Sequence, residues 1–170
     1  MTGPTWLNYA LQAEQLLMTS AQKGLAITLG LVITLFSGPL GYGQQRACTG
    51  AEARRAEAEA VTLRTWDALY RSYKLYRQCD DGAIAEGYSE SVARILVDHW
   101  DTLPQLAHLA KEDAEFRRFV MGHVDATLTI EDVEKIRRNA KTKCPTGLRG
   151  VCTDLAKQAD SELKGRASSP

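Results

Sequence analysis

A chain of 170 residues with 21 basic and 21 acidic side chains has no formal net charge, so it lacks the basic excess with which nucleic-acid-binding proteins neutralise phosphates. Charged residues make up 25% of it and hydrophobic residues 44%, the balance of a globular chain, which excludes a charge-rich disordered one. The length suits one domain.

Residues 25–36 read LAITLGLVITLF. This run is shorter than the ~20 apolar residues a bilayer span needs. It has the length of a signal-peptide core, with Lys23 just before it and Ser37, Gly38 and Pro39 after it. Gly41 and Gly43 supply small residues for cleavage before Gln44. The expected parts are therefore a dispensable or non-native extension at 1–17, a translation start at Met18 and a signal peptide at 18–43. The alternative is an uncleaved N-terminal helix that anchors the protein. Cys48 follows Gln45, Arg46 and Ala47, which is not the setting of a lipid-modified cysteine. The expected location is periplasmic or secreted.

Four cysteines follow: Cys48, Cys79, Cys144 and Cys152. None forms a C-x-x-C pair, so zinc-ribbon and thioredoxin-like patterns are absent. In an exported chain cysteines are expected to pair. The disulfide candidates are Cys79, Cys144 and Cys152. Cys79 is expected to join Cys144 or Cys152, each near a helix end. A Cys144–Cys152 bridge is the alternative, because Pro145, Gly147 and Gly150 let the segment between them turn. Cys48 is expected to stand unpaired in a weakly structured arm.

The arm, 44–60, is expected to be helical or flexible, because it is rich in helix formers but poor in apolar surface. The helical domain is expected at 61–164. Leu63, Trp66, Leu69, Tyr70, Tyr73 and Tyr76 recur every three or four residues and mark one helical face. Asp80 or Asp81 then caps a second helix, whose stripe runs Ile84, Tyr88, Val92, Ile95, Leu96, His99 and Trp100. Gly87, inside it, implies close packing against a neighbouring helix. Glu90 and Arg94 are ordered for an i,i+4 pair. A third helix is expected to open at Leu103–Pro104, with a break near residues 111–113 and then a stripe of Phe116, Phe119, Val120 and His123. Thr129 opens a further helix with acids in its first turn and bases in its last. The last helix is expected at about 153–163, followed by a disordered tail at 165–170. No strand alternation or internal repeat is present. The pattern predicts an all-α fold, a small bundle of about five helices reinforced by disulfides.

The common catalytic signatures are missing, including G-x-S-x-G, a phosphate-binding glycine loop and H-E-x-x-H. An EF-hand fails too, because the ligands around Asp80-Asp81-Gly82 do not alternate. What remains is a loose set of acids and histidines: Asp80, Asp81, Glu86, Glu90, Asp98, His99, Asp101, His108, His123 and Asp125. His99, His123 and Asp125 are the residues from which a metal site would be built. The bland alternative is a pair of structural histidines beside apolar stripes. No catalytic residue, metal site or cofactor is expected. Asp80, Asp81, Glu86, Glu90 and Arg94, on the polar side of the second helix and the turn before it, are the candidates for partner binding.

The runs YKLYRQCDDGAIAEGYSESVARILVDHW, FRRFVMGHVDAT and NAKTKCP resemble those of a group of exported helical proteins of Gram-negative bacteria that carry no established activity. In architecture the chain is also similar to periplasmic immunity proteins of the Tai type. That likeness implies a helical inhibitor acting through protein–protein contact, with a protein partner in the envelope, no nucleic acid, and membrane contact only through an uncleaved leader. The alternative function is a small periplasmic hydrolase or metal-dependent enzyme using the acids and histidines between Asp80 and His99.

Overall fold

The computed structural model describes residues 46–168. The expected extension, the Met18 start, the leader and its cleavage point lie outside the described residues, as do residues 169–170. The described residues form seven α-helices and no strand, so the all-α reading holds. The helices are α1 (Gly50–Ala60), α2 (Trp66–Tyr76), α3 (Gly82–Asp98), α4 (Leu103–Glu112), α5 (Ala114–Gly122), α6 (Ile130–Thr142) and α7 (Arg149–Ala167). Short 3-10 turns, Arg77–Cys79 and Trp100–Thr102, flank α3. No helix among the described residues is long and apolar enough to cross a membrane.

The count exceeds the expected five or so because the helical or flexible arm and the stripe after the break near residues 111–113 are each a separate, capped helix. Thr49 opens α1 with a capping box: its hydroxyl accepts from Glu52 N–H, and the Glu52 carboxylate accepts from Thr49 N–H at 3.0 Å. The arm is thus a packed helix with Ala56 and Ala60 fully buried. Asp113 divides the stretch after Leu103 by capping α5, accepting from the N–H groups of Glu115 and Phe116 at 3.1 and 3.0 Å. Residues 165–167, expected in the disordered tail, belong to α7, which continues through Ala167.

The middle of the fold is α3. Ile84, Tyr88, Val92, Ile95 and Leu96 are buried along it as the spacing requires. His99 breaks the expectation: it is exposed at the C-cap, where the helix has already ended. Gly87 lets α1 approach closely, since a Cβ there would sit 2.9 Å from Val61 Cγ1 and 3.0 Å from Ala60 Cβ. Ser91 and Arg94 on α3 donate to the carbonyls of Ala60 and Val61 and so cap the end of α1. The buried Tyr88 hydroxyl meets Ser72 of α2 at 2.9 Å. From α5, Phe119 packs edge-on against Tyr88. The α6 and α7 pair closes the other side, burying Val133, Ile136, Leu155 and Ala159, with Lys141 of α6 gripping both oxygens of Asp160 on α7.

The disulfides are Cys48–Cys79 and Cys144–Cys152, which corrects the expected bridge from Cys79 to Cys144 or Cys152. It also corrects the expected free Cys48, since no described cysteine is free. The reason lies in helix lengths. Helices α1 and α2 have 11 residues each, so each is about 16 Å long. Joined by the link 61–65, they run back on one another. Cys48, just before α1, therefore returns to Cys79, just after α2. Likewise Cys144 and Cys152 stand at the two sides of the α6–α7 turn, where Gly147 takes φ +84°, a left-handed conformation suited to glycine. Two bridges in so small a domain indicate an oxidising compartment.

Candidate functional site

The polar face of α3 carries Glu86, Glu90, Arg94 and Asp98 at successive fourth positions, and a helix stacks such residues in one line. Opposite them stand Thr127, Leu128 and Thr129 of the loop 123–129 and Asp132 in the first turn of α6. Together these residues, with Ala93 and Val97, line a groove of about 470 Å³. Buried Ala93 and Leu128 make its floor apolar. Four carboxylates stand over that floor against one guanidinium. Arg94 is committed to Glu90 in the expected i,i+4 pair and to the Val61 carbonyl. Asp98 faces Lys135 at 3.8 Å, and Asp132 accepts from the Thr129 hydroxyl at 2.8 Å. Glu86 is exposed with no partner among the described residues.

Of the five residues expected to bind a partner, the structure therefore gathers three, Glu86, Glu90 and Arg94, in one groove. Asp81 lies elsewhere as the α3 cap, accepting from Gly82 N–H at 2.8 Å. Asp80 turns inward. Its Oδ2 meets Nε2 of His123 at 3.2 Å, and His123 is buried. The other ring nitrogen, Nδ1, lies 2.9 Å from Ser89 Oγ, which also donates to Asp125 Oδ2 at 2.8 Å. Asp125 Oδ1 in turn accepts from the backbone N–H and hydroxyl of Thr127. An unbroken polar chain thus runs from the turn beside Cys79 to the wall of the groove.

The loop between is held from behind by α7. Arg166 donates to the carbonyls of Leu128 and Asp125 at 2.8 and 3.0 Å, and Gln158 donates to the carbonyl of Val124 at 3.1 Å. Burial works against the Asp125 carboxylate, but hydrogen bonds from Thr127 and Ser89 and the nearby His123 ring outweigh it and hold its carboxyl below the usual range. Burial pushes the Tyr88 phenol up to about 12, so it stays neutral.

Ser89, His123 and Asp80 have the residue types of a nucleophilic triad, but not its access. Ser89 is fully buried on α3, and neither it nor His123 lines the groove. Nor do the three metal candidates converge. His99 is exposed at the end of α3, while both nitrogens of His123 are occupied by Ser89 and Asp80. Among the described residues no group of three histidines, cysteines or carboxylates has the arrangement of a metal site.

Ser89, Leu128 and Asp132 escaped the sequence reading. A serine on a helix, a leucine in a loop and an acid in a first turn are each ordinary, and only their proximity makes them notable. No family model, curated protein or solved structure matches the chain.

Proposed function

We propose that this protein is an exported, periplasmic binding protein of the inhibitor or immunity kind, which takes a basic segment of a protein partner into the groove between α3 and α6. The observation that carries this reading is the groove itself: an apolar floor under four carboxylates, of which Glu86 has no partner among the described residues. Charged rims of one sign select partners of the other and speed their encounter. The two disulfides support it by fitting an oxidising compartment. The seven-helix scaffold supports it by offering a rigid surface with little to reorder on binding.

A lysine-rich helical peptide titrated into the labelled full chain is the first test. It is expected to shift the NMR signals of Ala93, Val97 and Leu128, more strongly at low salt than at high. Glu86→Lys with Asp98→Lys is expected to abolish those shifts. Shifts that are absent, scattered over the surface or unchanged in the variant would count against the groove. The partner itself is sought by capture from envelope extract, with wild type and the same variant side by side. A protein bound equally by both does not use this face.

A further inference from the structure

The buried chain has a proton requirement that the groove does not share. Three contacts link Asp125 to Ser89, Ser89 to His123 and His123 to Asp80. With both carboxylates ionised, every hydrogen in these contacts comes from the serine hydroxyl or the imidazole ring. Serine has one. A neutral ring adds one more, which leaves one contact without a hydrogen. If that ring hydrogen sits on Nδ1, the bare Nε2 faces the Asp80 carboxylate. If it sits on Nε2, the serine hydroxyl must choose between Nδ1 and Asp125. Only a ring hydrogenated at both nitrogens serves all three contacts at once.

We infer that His123, doubly protonated between Asp80 and Ser89, is a latch that holds the loop 123–129, and that loss of its proton releases this wall of the groove. The path is continuous. His123 is the C-cap of α5 and the first residue of the loop. Asp125, two residues on, fixes Thr127 through its N–H and hydroxyl, and Thr127 lines the groove. Without the second ring hydrogen either the Asp80 contact opens or Ser89 abandons Asp125.

The groups facing the ring are few. Asp80 comes from the turn before α3, the neutral Tyr88 phenol and Ser89 from α3, Phe119 from α5 and Asp125 from the loop itself. Behind the loop, the Arg166 guanidinium of α7 holds the carbonyls of Asp125 and Leu128. The Oδ1 of Asp80 is buried with no hydrogen-bond partner among the described residues, so the ring is what satisfies this carboxylate. The consequence for binding rests on the groove reading above; the latch does not.

The test uses the full chain labelled in its imidazole nitrogens. Nitrogen NMR reports the protonation of the His123 ring, with exposed His99 and His108 as internal references. Hydrogen exchange of the Val124, Thr127 and Leu128 amides, corrected for its intrinsic pH dependence, reports opening of the loop. Both nitrogens are expected to carry hydrogen wherever these amides are protected. Opening should rise by about tenfold or more as the ring loses its proton, the scale set by one charge-assisted hydrogen bond.

Asp80→Asn is the decisive variant, because an amide N–H can donate to Nε2 and let a neutral ring serve all three contacts. Its loop is expected to stay closed across the same pH range. A singly protonated ring beneath a fully protected loop overturns the latch, and so does an Asp80→Asn protein with wild-type pH dependence. Should that variant not fold, the comparison of ring and loop in the wild type decides alone. A groove that binds no basic peptide removes the consequence but leaves the latch, whereas a flat exchange profile with binding intact removes the latch and leaves the groove.

Discussion

Gly87 shows how much a single missing side chain decides. Alanine in a helix interior is favoured over glycine by about 1 kcal/mol, yet here its Cβ would meet Ala60 Cβ at 3.0 Å and the Val61 backbone nitrogen at 3.3 Å. The Val61 side chain, 40% exposed, can turn away; Ala60 and the backbone cannot. Overpacking costs typically 1–3 kcal/mol, so Gly87→Ala is expected to lose about 1 kcal/mol and Gly87→Val about 3, measured by urea unfolding. A stabilised Gly87→Ala protein would mean that α1 shifts freely. Asp113 makes a second case. Burial raises its carboxyl, but hydrogen bonds from Phe116 N–H and Lys74 prevail and hold it below its ordinary value. A carboxyl lowered on folding adds stability above its unfolded pKa and loses it as pH falls through the folded one. Asp113 and Asp125 are therefore expected to contribute fully at pH 6 and progressively less below about pH 4. Asp113→Ala should cost about 1–2 kcal/mol at pH 6 and less than that at pH 3, read from melting at both values.

Helices carry the next level, and α1 is the element on which the sequence reading was furthest from the structure. Its composition is that of a solvated helix, with only Ala56 and Ala60 fully buried, and such a helix is marginal by itself. Four things hold it: the Thr49–Glu52 capping box, the hydrogen bonds from Ser91 and Arg94 to the carbonyls at its end, the Gly87 contact and the bridge from Cys48 to Cys79. The bridge spans 31 residues of sequence, the Cys144–Cys152 bridge only 8. In the chain-entropy model the first stabilises by about 4 kcal/mol and the second by about 2.5. Replacing Cys48 and Cys79 together by alanine is thus expected to lower stability more than replacing Cys144 and Cys152. It should also raise hydrogen exchange in α1 before any other helix. Equal losses from the two pairs, or a protected α1 without its bridge, would show that packing alone retains it.

Across the whole molecule, the candidate site is assembled from both kinds of information. Glu86, Glu90 and Arg94 were legible because 3.6 residues per turn puts every fourth residue on one face. Their companions Leu128 and Asp132 were not, because they come from a loop and a helix some forty residues on and only the packing of α3 against α6 brings them opposite. His123 was legible as a histidine on an apolar stripe, which is what it is. Its partners were not. Asp80 reads as a helix cap, a role that its neighbour Asp81 takes, and so its own carboxylate is left to turn inward. If the groove and latch act together, peptide binding in the wild type should weaken over the same pH range in which nitrogen NMR shows the His123 ring losing its proton, and stay unaffected in Asp80→Asn, a comparison made by calorimetry at constant salt.

Periodicity, capping residues and proline positions determined by themselves that the chain is helical, where α3 to α6 begin, and which faces of α2 to α6 carry the apolar stripes. These are local properties, set within a turn or two of helix. Four cysteines ahead of no metal pattern likewise foretold bridges. Which cysteines pair, which acids share a groove and which carboxylate meets a buried histidine depend on how helices of given lengths fold back on one another. That is a matter of distances between residues remote in sequence, and only the tertiary structure decided it.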